Sequence, residues 1–354
     1  MFNLNDYHYD LPVDLIAQQP VEQRDRSRLL GLDRHTGRLT DAVFSRIGDY
    51  FNAGDVLVVN NTAVIPGRLA GKKESGGKVE VLIADFIGGQ KSNEKYGNFV
   101  CRCLVKASKR SFPGTWFYFA DGLKAEVLDV SNGDYHLKFY ADGDFETVLY
   151  RIGQVPLPPY IKRNSGGMSA FDDQTSYQTV YARRRGAIAA PTAGLHFTEN
   201  LLNELRAVGV LIAELTLHVG YGTFLPVRVS DIRRHNMHAE PFTISSQAAE
   251  TINAGRADGK RVVAVGTTSV RTLEYASDSK GKVEAGSGSC DLYIYPGYRF
   301  KIVDAMITNF HLPQSTLLML VSAFAGRQNV LNAYREAIRR RYRFYSYGDA
   351  MYIY

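Results

Sequence analysis

The sequence predicts an α/β domain with an inserted small antiparallel β-barrel domain. Three observations predict it. Residues 64–152 read almost wholly as short strands separated by turn signals. From about Gly186 strands alternate with helices. Between the two patterns lies Val155 to Pro159, whose prolines forbid regular structure. The simplest division makes residues 1–63 plus 153–354 one discontinuous α/β domain and residues 64–152 the inserted barrel. With 354 residues and 45% hydrophobic content, the chain has ample core for both.

In chain order, Pro12 to Gln18 reads as a short helix after a proline start, Arg28 to Leu32 and Asp55 to Asn60 as strands, and Val43 to Phe51 as a helix between them. Strands are expected at Lys78 to Phe86, Asn98 to Ala107, Thr115 to Ala120, Ala125 to Val130 and Tyr135 to Tyr140. Asp121-Gly122 and Asn132-Gly133 are hairpin signals among them. The later strands are Ala187 to Ala190, Val210 to His218, Arg261 to Val265, Leu292 to Tyr295 and Ala305 to Thr308. Helices are expected at Thr198 to Val208, Ser246 to Ala254 and Thr268 to Ala276, with two more after Thr308.

Composition excludes several classes. The longest apolar runs, such as Leu317 to Phe324, are too short to span a bilayer, and Met1 to Asp14 carries acids but no basic leader region, so a cytoplasmic protein is expected. The three cysteines, Cys101, Cys103 and Cys290, have no metal-ligand spacing and read as ordinary thiols. The net charge of +6 is unevenly placed: 6 basic against 9 acidic residues in 1–63, 13 against 11 in 64–152, and 23 against 16 in 153–354. Arg339, Arg340, Arg341 and Arg343 interleave with Tyr342, Phe344, Tyr345 and Tyr347. That pattern suits a phosphate backbone with stacking, or a solvated helix end.

In α/β domains the loops after the strands carry ligands. Here those loops are polar: Pro191 to Thr198, His218 to Phe224, Gly266 to Arg271 and Thr308 to Pro313. Five of the eight histidines fall in or near them: His196, His218, His235, His238 and His311. Gly266-Thr267-Thr268 follows a strand and opens a helix, which makes either an anion site or a plain cap. Gly220-Tyr221-Gly222 lacks the third glycine and the helix of a dinucleotide loop. His235 and His238 with Glu240 could hold a metal, but no HExxH helix accompanies them. Gly-x-Ser-x-Gly is absent. Acid–base or substrate-binding histidines are the preferred reading.

Longer motifs carry a resemblance. Ala189 to Thr198, Leu215 to Phe224, His235 to Glu240, Ala264 to Glu274, Pro296 to Tyr298 with Thr308 to Pro313, and Tyr345 to Met351 resemble the S-adenosylmethionine:tRNA ribosyltransferase-isomerase family of the queuosine pathway. Asp10 to Pro12, Gln18 to Leu30 and Gly76 to Val81 match as well, so the resemblance covers essentially the whole chain. It departs at Asn60 to Ala63, where the family often has Asn-Asp-Thr-Arg, and at Gly67, where an alanine is commoner. The resemblance implies an α/β domain with an inserted barrel. It also implies transfer and isomerisation of the ribosyl unit of S-adenosylmethionine onto a 7-aminomethyl-7-deazaguanine at the tRNA wobble position, giving epoxyqueuosine, adenine and methionine. S-adenosylmethionine would be a consumed co-substrate, with no resident cofactor and no metal, and a monomer is expected.

Such chemistry calls for a base beside the sulfonium, a donor for the departing adenine, and a neutral acceptor amine. His196 and His218 are the leading base and acid candidates, in either order, with His238 and Glu240 second. Asp304 and Asp349 would hold the amine or a ribose hydroxyl. Arg271 with the Gly266–Thr268 loop would take the methionine carboxylate. Tyr221 and Phe224 would lie against the sulfonium or adenine. Thr192, Thr223, Asn309 and His311 complete the substrate-binding set. Arg339 to Arg343 would contact tRNA, with Lys72, Lys73, Lys106, Lys109 and Arg110 as a second surface. An RNA methyltransferase, a metal hydrolase and a non-catalytic RNA-binding module are the rival readings.

Overall fold

A computed structural model describes residues 2–96, 98–131, 133–163, 172–224 and 226–354. In chain order it begins with β1 (Arg28–Leu32), β2 (Leu39–Val43), β3 (Val56–Asn60) and β4 (Thr62–Val64). The barrel strands follow: β5 (Arg68–Lys73), β6 (Lys78–Ile83), β7 (Phe99–Ala107), β8 (Trp116–Tyr118), β9 (Lys124–Ser131) and β10 (Asp134–Tyr140), with helices α1 (Phe86–Tyr96) and α2 (Phe145–Ile152). They close in the order β10-β7-β6-β5-β8-β9. Alternation decides which face is inside. Val79, Val81 and Ile83 of β6 point inward and are buried, as are Cys101 and Cys103 of β7. Both thiols are free, with Sγ atoms 3.6 Å apart. Arg68 and Gln154 exchange two backbone hydrogen bonds, of 3.0 and 2.9 Å, which ties the two ends of the barrel segment together.

After the short α3 (Asp173–Ser176), the remaining elements are β11 (Arg184–Ala187), α4 (Glu199–Ala207), β12 (Leu211–Leu217), β13 (Glu240–Ile244), α5 (Ser246–Ala257), β14 (Val262–Val265), α6 (Gly266–Ala276), β15 (Gly286–Cys290), β16 (Ala305–Asn309), α7 (Thr316–Ala325), α8 (Arg327–Arg339) and β17 (Ala350–Ile353). Nine strands form one mixed sheet, ordered β15-β13-β12-β3-β14-β16-β17-β1-β2. Its strands come from both sides of the barrel segment. The centre, β12-β3-β14-β16, is parallel. Every residue of β3, β14 and β16 is buried, which is why they read as continuous apolar runs without alternation. β4 and β11 pair separately.

Several local expectations are corrected. Pro12 to Gln18 contains only a single 3-10 turn, Val13–Leu15, and Val43 to Phe51 is a 3-10 helix, Phe44–Tyr50. Leu292 to Tyr295 is not a strand. Pro296 follows it, and the carbonyl of Leu292 accepts from the Arg271 side chain rather than from a ladder. The ladder lies upstream, at Gly286–Cys290. Of the hairpin signals, Asn132 lies outside the described residues. No helix among the described residues is long and apolar enough to cross a membrane.

Candidate functional site

The C-terminal ends of β14 and β16 meet at one pocket of about 80 Å³, walled by Thr192, Thr267, Thr268, Asn309, His311 and Tyr345 among others. Thr267, Thr268, Asn309 and His311 arrive there because β14 and β16 end there. β14 stops at Val265, Gly266 turns with φ +84°, and α6 begins. No side chain caps α6, so its first N–H groups face the pocket beside two threonine hydroxyls. Asn60, ending β3, donates to Oγ1 of Thr268 at 3.3 Å and to the Leu217 carbonyl at 3.0 Å. Oγ1 of Thr192 donates to Asn309 at 3.2 Å, and Thr308 shares a 2.8 Å hydrogen bond with Nε2 of His311. Burial lowers the His311 pKa to about 3, so the ring is neutral at ordinary pH.

The three histidines of the loops do not share one cleft. His196 is buried with both nitrogens engaged: Nδ1 lies 2.8 Å from Oγ of Ser27, and Nε2 lies 3.2 Å from the Asn309 amide, which also donates to the Tyr345 carbonyl. Ser27 can donate onward to the Arg24 carbonyl, so the network is satisfied by a neutral ring protonated on Nδ1. Burial, then Arg343 and Arg24, lowers its pKa to about 3. His218 instead lines a second cleft of about 620 Å³ with Asn61, Arg183, Glu214 and Thr216. Its Nδ1 is 2.8 Å from Oγ1 of Thr62, and burial lowers its pKa to about 4. Gly186, at φ +149°, permits this, since a Cβ there would stand 2.7 Å from Nδ1 of His218. At the family departure, Asn61 donates to Glu214 at 3.0 Å and accepts from Thr216 at 2.7 Å. Thus Asn61 spans a carboxylate and a hydroxyl.

Other expected site residues are placed differently. Arg271 is buried, donating to Glu240 at 2.6 Å and to the carbonyls of Leu292 and Cys290, so its guanidinium is not available to a carboxylate ligand. Glu240 also accepts from the Gly220 N–H at 2.8 Å, and the pair therefore fixes the Gly220–Tyr221 loop to α6 and β13. Asp349 accepts from the N–H groups of Arg28 and Arg343 at 3.0 and 2.7 Å, and burial raises its pKa. Asp304 is exposed and precedes β16, at the sheet edge opposite the polar loops, where it accepts from the Val262 N–H. His238 is exposed and rests on Gly222, where a Cβ would meet its ring at 2.6 Å. Tyr221 faces the barrel, in a groove with Leu82, Pro156 and Arg163. The Thr223 and Phe224 side chains lie outside what is described.

Each of the C-terminal cations has an acidic or main-chain partner. Arg339 pairs with Glu336 at 2.6 Å, Arg341 with Asp14 at 2.6 Å, and Arg340 with Glu336 at 2.5 Å and with Asp41. Arg343 donates to the Gln19 and Tyr347 carbonyls. The interleaved rings, Tyr342, Phe344, Tyr345 and Tyr347, are all buried and offer no stacking face. Sequence reasoning missed Ser27, Asn60 and Thr62, which orient the histidines and the threonine loop. Asn60 and Thr62 sit at the end of an apolar strand, and the rule that strand ends carry the site would have found them.

Comparison with known proteins fits this architecture. The family described as "Queuosine biosynthesis protein" matches residues 4–353. A protein of Geotalea uraniireducens named S-adenosylmethionine:tRNA ribosyltransferase-isomerase is 53% identical over 352 residues, 99% of each chain. Proteins of the same name from Syntrophotalea carbinolica and Acetivibrio thermocellus are each 50% identical over 99% of both chains. The crystal structure of S-adenosylmethionine tRNA ribosyltransferase from Thermotoga maritima is 36% identical, covers 99% of this chain and 100% of its own, and superposes with a TM-score of 0.55.

Proposed function

The chain belongs to the queuosine biosynthesis protein family, and from that premise we propose that it moves the ribosyl unit of S-adenosylmethionine onto the aminomethyl group of a 7-deazaguanine at the wobble position of tRNA. Isomerisation of the sugar would give epoxyqueuosine, with adenine and methionine released. The chain is an enzyme of the ribosyltransferase-isomerase type. The reaction as written is redox-neutral and consumes S-adenosylmethionine as a co-substrate, so it needs no resident redox cofactor.

One observation carries the reading: an uncapped helix N-terminus and two threonines open onto the pocket beside a neutral histidine. The α6 N–H groups with Thr267 and Thr268 take the methionine carboxylate, replacing the role first given to Arg271. His311, Asn309 and Thr192 face the sugar. At about 80 Å³ the pocket is smaller than a nucleoside needs, so binding displaces part of its wall, where Tyr160 and Tyr345 lie with ring centroids 4.8 Å apart. His218, held by Thr62 and neutral at pH 7, lines the neighbouring cleft, but Val219 beside it is in the pocket wall; once that wall is displaced, His218 is the leading base for the acidic hydrogens beside the sulfonium. His196, with both nitrogens engaged, positions Asn309 and the Tyr345 loop instead.

The test is incubation of the protein with S-adenosylmethionine and tRNA bearing the deazaguanine amine, with mass analysis of both products. Adenine, methionine and a modified tRNA support the reading; S-adenosylhomocysteine would replace it with methyl transfer. His218→Ala should lower kcat by about 10²–10⁴, the range for a lost general base. Near-normal turnover in that variant removes His218 from the chemistry.

A further inference from the structure

The outer face of the barrel carries a stripe of cations that the α/β site leaves unexplained. Lys72 on β5, Lys78 on β6 and Lys106 on β7 are all exposed and line one groove of about 700 Å³ together with Ala70 and Glu80. Lys72 and Lys78 stand directly opposite each other in the antiparallel ladder. Like charges in that position destabilise the pair. Lysines often guard an exposed sheet edge, but this barrel is closed and has no edge to guard. None of the three has a carboxylate partner among the described ion pairs. Glu80, between them, is held by Arg68 at 2.6 Å.

The groove continues. Lys106 and Glu80 also line a second groove of about 600 Å³, which runs along Arg68 and Leu82 to the Pro156–Pro159 segment and Tyr221. The next residue in that segment, Tyr160, is a wall of the α6 pocket. A basic track therefore leads from the β5–β6 turn, past the Pro156–Tyr160 segment, to the α6 pocket. A phosphate backbone would relieve the Lys72–Lys78 repulsion and release counterions.

We propose that this barrel face is the docking track for the stem of the tRNA substrate, with Lys72, Lys78 and Lys106 contacting its phosphates and the Pro156–Tyr160 segment guiding the loop toward the pocket. The inference rests on the tRNA reading above and adds where the RNA lies.

The experiment measures binding of a fluorescent unmodified tRNA transcript by anisotropy between about 50 and 250 mM salt, for the intact chain and for Lys72→Ala/Lys78→Ala/Lys106→Ala. The intact chain should bind with a steep salt dependence. The triple variant should lose about 2–3 units of the log–log salt slope and bind roughly tenfold or more weakly at the low-salt end. A thermal melt checks that it folds, and Lys106→Gln, a single exposed change, gives a smaller loss in the same direction should the triple variant not fold. An intact chain that binds no tRNA at any salt overturns the tRNA reading itself. Tight binding by the intact chain with an unchanged slope in the folded variants overturns the track alone.

Discussion

Two basic regions, the C-terminal segment Arg339–Tyr347 and the β5–β7 face of the barrel, look alike as sequence but differ in where their charges go. In the first, guanidinium groups are drawn onto Glu336, Asp41, Asp14 and main-chain carbonyls, and the rings between them are core. In the second, the ammonium groups make none of the described ion pairs and two of them stand against each other, while the one carboxylate among them, Glu80, is held by Arg68. Clustered charge therefore says little until its counter-charges are located. Two of those counter-charges are remote in sequence: Asp14 and Asp41 lie some three hundred positions from the arginines they hold.

The largest effect that tests this contrast is on stability. Phe344 is fully buried among Tyr9, Phe310, Tyr334 and Tyr345. Phe344→Ala should cost about 3–5 kcal/mol of unfolding free energy in denaturant titration. The molecules still folded should bind tRNA as before. A variant that keeps its stability but loses tRNA would make this ring a stacking platform and erase the contrast.

A second test uses acid. His196 accepts from Asn309, which also holds the Tyr345 carbonyl, so the C-terminal loop rests on a neutral imidazole. Its folded pKa, about 3, lies below the ordinary 6.5. The unfolded chain then binds more protons between those values, and stability is full above pH 6.5 and falls as pH drops toward 3. At pH 5 the loss from this one group is roughly 2 kcal/mol. The barrel segment's one histidine, His136, is exposed. Hydrogen exchange from pH 7 to pH 5 should therefore loosen Tyr345 to Ile353 more than β6 and β7. Equal loosening in both regions would show that His196 does not anchor the loop.

How much of this was legible in the sequence follows the same division between local and remote. β3, β14 and β16 announce themselves because strands buried on both faces must be apolar throughout. The barrel strands show alternation and turn residues. β15, Gly-Ser-Gly-Ser-Cys, carries no apolar pattern and exists only because β13 offers it a ladder. The polar loops were legible as a site region, since they follow strands. Their sorting was not. Sheet order places His218 in one cleft and His311 in another, and Arg271 looks like a free cation until Glu240, 31 positions away, is brought against it.

The smallest effect is the one whose sign separates the two regions most sharply. Lys78→Glu would turn the like-charge pair with Lys72 into an opposite-charge pair at the same register position. Cross-strand pairs of this kind are worth roughly 0.2–1 kcal/mol, so the variant should melt slightly higher than the parent. It should also bind tRNA more weakly, because a phosphate contact becomes a repulsion. Arg341→Glu, at the other region, breaks an exposed pair with Asp14 and sets two carboxylates side by side, so it should leave the melting temperature unchanged or slightly lower. A gain in stability coupled to a loss of RNA affinity marks a surface shaped for a partner. If Lys78→Glu instead lowers both, the lysines serve the barrel itself.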